Sequence, residues 1–128
     1  PDVKVIGVSM EKGAAMIESL KAGHPVDVEE EPTLADSLLG GIGLDNKYTF
    51  DIVKDYVDEK IQVSEEEISK GIAYVMENHK VIAEGASCVG IAYAMRKDAI
   101  KPGSNVVIVV TGNGIGMDIV KKVINDNF

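Results

Sequence analysis

The stretch that most constrains this chain runs from Asn105 to Asp118. Val106 to Val110 is an unbroken β-branched apolar run, and Thr111, Gly112, Asn113, Gly114, Ile115 and Gly116 follow at once. Such a run reads as a strand buried on both faces, as in the centre of a parallel sheet. Open α/β sheets bind ligands where a strand empties into a turn of this kind. Glycines let backbone N–H groups come close to an anion or a ring, and the next helix presents its positive end. The same glycines also serve as a plain strand-to-helix turn, and the stretch alone leaves both readings open.

A chain of 128 residues is long enough for one domain with a real core. Its net charge of −8 argues against sequence-independent binding to nucleic acid or to an anionic membrane, both of which need a basic face. Few aromatics and no tryptophan speak against a base-stacking platform. No apolar run approaches the length of a membrane span. Cys88 is the single cysteine, so no disulfide forms within the chain, and a reduced, cytoplasmic setting fits. Pro1 is not a start methionine and a strand-like run follows almost immediately, which raises the expectation of a fragment. Methionine removal before proline is the plain alternative.

Val3 to Val8 reads as a strand, with Ser9 as N-cap of a helix carrying Ala14, Ala15, Met16, Ile17 and Leu20 and ending near Gly23. Val26 to Val28 reads as a short edge strand, and Glu29 to Pro32 as a solvated acidic turn. Thr33 to Ser37 opens a helical turn, and Gly40, Gly41 and Gly43 form a second glycine cluster. Thr49 or Asp51 is expected to cap a helix carrying Ile52, Val53, Tyr56 and Val57. Lys60 to Val63 reads as a strand. Ser64 and Glu67 have the spacing of a capping box, opening a helix with Ile68, Ile72, Val75 and Met76 on one face and an end near Asn78. Glu84 precedes a small-residue helix that reaches Met95, where a carboxylate gains from the helix dipole. A final helix runs from Met117 to Ile124. The order implies an α/β fold: a three-layer, mostly parallel twisted sheet of three strands flanked by helices, forming a single domain over 1–128.

These landmarks resemble the C-terminal part of the large domain in the fold-type-II pyridoxal-phosphate serine/threonine dehydratases. The matching stretches, in family order, are Val5-Ile6-Gly7-Val8, Ser19-Leu20-Lys21-Ala22-Gly23, Thr33-Leu34-Ala35-Asp36, Val63-Ser64-Glu65-Glu66-Glu67-Ile68, Glu84-Gly85-Ala86 and Val109-Val110-Thr111-Gly112. Gly7 to Glu11 and Gly40 to Phe50 look most like the threonine-dehydratase-like subgroup that includes hydroxyectoine utilization dehydratase. The resemblance implies elimination of water and ammonia from a hydroxy-amino acid such as threonine or serine, giving a 2-keto acid, with pyridoxal 5'-phosphate as cofactor. It also implies that Thr111 bonds the pyridine nitrogen, with Gly112 beside it. It gives Glu84 a role in orienting water or ring contacts, and it places Ser37 in a segment lining the ring where the family usually has glycine.

The departures carry equal weight. The family commonly reads Ser-Gly-Gly-Asn after its last strand, where this chain has Thr111-Gly112-Asn113-Gly114. Some members bind a divalent cation at places that here hold Ser9 and Ala15, neither an adequate ligand, so no metal site is expected. By the resemblance, the Schiff-base lysine and the phosphate-cradling loop lie upstream of Pro1, and Lys4, Lys12 and Lys21 stand in the wrong context. This chain alone is thus expected to be inactive and to hold the cofactor weakly. Its expected partners are the missing N-terminal half, present as preceding sequence or as a separate chain, further copies in a homo-oligomer, and a small amino-acid substrate.

Two other readings stand beside this one. The first is a non-catalytic small-molecule or nucleotide-binding regulatory domain that uses the Gly112 to Gly114 turn, although no acidic ribose-binding residue follows an early β-α unit. The second is a module that dimerises through uncovered apolar surface. Cys88 reads as a buried structural thiol, His24 and His79 as surface residues, and Met76 and Met95 as core.

Overall fold

In the computed structural model, which describes residues 2–128, two parallel strands and five α-helices build an α/β unit. Strand β1 (Ile6–Met10) pairs in parallel with β2 (Glu59–Val63), Ile6 facing Glu59 and Met10 facing Val63. The strand expected from Val3 is thus displaced by a few residues. Asp58 explains where pairing begins, because its carboxylate accepts the N–H of Val5 (2.7 Å) while its own N–H bonds the Val5 carbonyl (2.9 Å). Ser9 lies inside β1 and caps nothing. Helix α1 (Ala15–Ala22) starts at Ala14 without a side-chain cap and ends on Gly23, whose φ of 81° is the left-handed conformation glycine favours.

Val26 to Val28 forms no strand among the described residues, since the Val26 N–H goes to the Ser19 hydroxyl (3.0 Å) instead of a ladder. Thr33 to Ser37 leads into a 3-10 turn at Asp36–Leu38. Helix α2 (Thr49–Tyr56) is capped by neither Thr49 nor Asp51. Asn46 does that work, accepting the Phe50 N–H (2.9 Å) while its amide donates to Thr49 Oγ1 and the Ile42 carbonyl (both 2.7 Å).

Helix α3 (Glu65–His79) opens on the expected capping box: the Glu67 N–H reaches Ser64 Oγ at 3.3 Å, and the Ser64 N–H reaches Glu67 Oε2 at 2.8 Å. Helix α4 (Gly85–Ala94) packs against α3 on one side and against both strands on the other. The helices come close because Gly71 carries no side chain: a Cβ there would stand 3.0 Å from the Cys88 carbonyl oxygen. Met10, Val63, Ile68, Ile72, Val75, Cys88, Val89 and Val123 of α5 (Met117–Asn127) fill the core around this contact. Met76 packs against that core, but Met95 is exposed, because α4 ends one residue before it. Both histidines are exposed, and so are Glu29 to Glu31.

The largest correction concerns Val106 to Val110. The segment is neither paired in the sheet nor buried on both faces. Val107 and Val109 are 89% and 72% exposed, whereas Ile108 is 37% exposed and approaches Gly90 of α4. Exposure alternates with the period of an extended chain. One face leans on α4 and the other has no neighbour among the described residues. A two-sided apolar run needs a strand edge beside it, and β1 and β2 pair only with each other. No described helix is long and apolar enough to cross a membrane.

Candidate functional site

The glycine-rich exit of the extended segment docks on the N-terminal end of α4 through a closed set of hydrogen bonds. The Glu84 N–H donates to the Gly112 carbonyl (3.2 Å). The Thr111 and Gly112 N–H groups both donate to Ser87 Oγ, at 3.2 and 2.8 Å, and Ser87 Oγ lies 3.1 Å from Thr111 Oγ1. Glu84 occupies the N-cap position with its side chain turned away from its own helix's amides, and its carboxylate accepts the Gly114 N–H at 2.8 Å. A negative charge there gains from the α4 dipole. The absence of a side chain at Gly112 leaves room for the Glu84 carboxylate: a Cβ would stand 2.6 Å from Glu84 Oε1, and that side chain would have to swing aside.

This arrangement bears on how the glycine turn could be used. The Gly112 and Gly114 amides are already taken, one by a hydroxyl and one by a carboxylate. A phosphate at this turn would meet the Glu84 charge and find those donors used. That arrangement counts against an anion cradle built on the Gly112 and Gly114 amides.

Thr111, Glu84 and Gly112 thus meet at one point. The turn containing Ser37 adjoins it through the backbone, since Gly85 packs on the Leu34 carbonyl. The Ser37 hydroxyl itself is exposed and donates to Asp36 Oδ1 at 3.4 Å. Sequence reasoning missed Ser87 and Gly85. Ser87 left a faint signal as the lone serine in the small-residue helix, three residues after Glu84 and so on the same face. Cys88 is fully buried, and burial followed by the nearby Glu84 charge pushes its thiol up to about 11, so it stays protonated and unreactive.

Comparison with known proteins gives this geometry a context. The family model described as "Pyridoxal-phosphate dependent enzyme" matches residues 1–112, which include Glu84, Thr111 and Gly112. A putative threonine dehydratase of Sinorhizobium fredii is 43% identical over 125 residues, covering 98% of this chain and 38% of the relative. An L-threonine ammonia-lyase of Thermotoga maritima is also 43% identical, over 98% of this chain and 30% of its own length. The processed form of threonine deaminase isoform 2 from Solanum lycopersicum superposes with a TM-score of 0.80 at 27% identity, over 98% of this chain and 36% of that one. The chain therefore spans about a third of the length of the relatives it matches. On the match of that family model over most of its length, the chain belongs to the pyridoxal-phosphate dependent enzymes.

Proposed function

We propose that this chain is the C-terminal portion of the catalytic domain of an ammonia-lyase that converts a hydroxy-amino acid such as threonine or serine to a 2-keto acid. The observation that carries the reading is the Thr111 hydroxyl, exposed at a glycine turn and anchored from behind by Ser87. A neutral hydroxyl in that position fits a pyridine nitrogen. Pyridoxal phosphate, when bound, supplies the electron sink that eases elimination. Thr111 would hold a proton at Oγ1 for the ring nitrogen. Glu84 holds the turn through the Gly114 amide and presents its carboxylate for water or ring contacts. The backbone around Ser37 would line the ring. In this reading the Schiff-base lysine and the phosphate loop come from sequence outside this chain. The hydroxyectoine-related subgroup is favoured by Gly7 to Glu11 and by the Gly40 to Phe50 stretch.

The test is keto-acid release from threonine and serine by the full protein that carries this chain. Thr111→Val is expected to lower kcat/KM by about tenfold or more, the worth of one hydrogen bond of roughly 1.4 kcal/mol. The isolated 128-residue chain is expected to release none. No keto acid from the full protein with either substrate, or unchanged rates in Thr111→Val, would refute the reading.

The same reading predicts how the isolated chain behaves. Val107 and Val109 present an uncovered apolar edge, and such surface drives association. Sedimentation should show concentration-dependent oligomers, reduced by Val107→Lys. A monodisperse monomer with no binding of an apolar dye would count against an unpaired strand here.

A further inference from the structure

Ser87 is 3% exposed, so bulk water does not serve its hydroxyl. That hydroxyl lies within bonding distance of three groups: the Thr111 and Gly112 amides and Thr111 Oγ1. A hydroxyl has two lone pairs and one proton. Amides can only donate, so the two N–H groups occupy both lone pairs. Thr111 therefore has no acceptor site left on Ser87, and the Ser87 proton goes to Thr111 Oγ1. The Thr111 hydroxyl keeps its own proton unshared on the exposed side of the turn. Hydrogen bonds linked in one direction polarise one another, so accepting from Ser87 makes Thr111 a stronger donor outward.

We propose that Ser87 is a positioning residue that fixes the hydrogen-bond polarity of Thr111, making it an outward donor matched to an unprotonated ring nitrogen. The inference rests on the reading of Thr111 as the cofactor's partner and adds the group that sets its direction. Two main-chain amides start the relay, Ser87 passes it on, and Thr111 delivers it. The backbone of the turn and the hydroxyl that meets the ligand are thereby one unit. Misplacing the turn reverses or releases the Thr111 proton even when Thr111 is unchanged.

The experiment uses the full protein with pyridoxal phosphate labelled with 15N at the ring nitrogen and no substrate. The nitrogen resonance is followed with pH, and cofactor affinity by titration, in wild type, Ser87→Ala, Ser87→Cys, Thr111→Val and Ser87→Ala/Thr111→Val. Ser87→Cys keeps nearly the side-chain volume, so it serves if the alanine variant fails to fold. Loss of Ser87 should raise the pH at which the ring nitrogen protonates and weaken cofactor binding about threefold to tenfold. The double variant should be no worse than Thr111→Val, because Ser87 acts through Thr111. An unmoved nitrogen titration in both Ser87 variants, or additive losses in the double variant, overturns the proposal while leaving the ammonia-lyase reading in place. A wild-type full protein that takes up no pyridoxal phosphate overturns both.

Discussion

Gly85→Ala is expected to destabilise the protein by at least about 2–3 kcal/mol and, on the proposed function, to lower keto-acid release by the full protein by roughly two orders of magnitude. The reason is distance, not backbone freedom. Gly85 is absent from the residues with positive φ, so alanine is conformationally acceptable and would even favour the helix by about 0.5–1 kcal/mol. The added Cβ, however, would stand 2.0 Å from the Leu34 carbonyl oxygen and 2.4 Å from its carbon. Both are backbone atoms and no rotamer relieves the contact. The start of α4 must move away from the Leu34–Ala35 peptide by an ångström or more. Glu84 and Ser87 move with it, and these two residues hold Gly114, Gly112 and Thr111. Urea unfolding gives the stability loss, and keto-acid release gives the activity loss. A variant as stable and active as wild type would show that the Leu34 contact yields freely.

Much of the fold could be read from the sequence, and what could not is of one physical kind. The Ser64/Glu67 box, Gly23 as a helix end and the small-residue helix after Glu84 depend on neighbours a few residues apart, so local spacing reveals them. The cap of α2 was misread because Asn46 acts from four residues before Phe50, outside the usual cap position. The sequence of Val106 to Val110 predicts a doubly buried strand because an apolar run states what a segment requires. Whether an edge stands beside it is a tertiary fact. Motifs point to Thr111, Gly112 and Glu84, and the fold brings these three residues together. Ser87 and Gly85 have no motif of their own. Ser87 matters because residues 111 and 112, far along the chain, bring their amides to it, and Gly85 because a carbonyl fifty residues earlier fills the place of its side chain.

Glu67→Ala is expected to cost about 2–3 kcal/mol at neutral pH, and the wild-type protein should lose part of that stability in acid. Glu67 accepts from Arg96 Nε at 2.5 Å and from Nη2 at 2.8 Å, while Nη2 also donates to the Gln62 carbonyl at 2.8 Å. The Arg96 hydrogen bonds hold the Glu67 carboxyl at about 2 from its ordinary 4.5, with burial opposing and the Ser64 N–H assisting. The folded pKa lies below the unfolded one, so the stabilisation is fully present above about pH 4.5. It is lost as pH falls from there through about 2. Both side chains are partly exposed, which limits the acid-sensitive part to about 1–2 kcal/mol after screening, and loss of the cap adds about 1 kcal/mol. Glu67→Gln, which keeps an acceptor for Ser64 but no charge, should fall between wild type and alanine at pH 7 and converge on wild type near pH 2. Urea unfolding midpoints from pH 7 to pH 2 test this, and a constant gap between wild type and Glu67→Gln would refute it. The effect reaches beyond α3, because Arg96 sits just past the end of α4 and ties it to the end of β2. The helix that carries Ser87 at its start is thus anchored at its finish by an acid-sensitive pair.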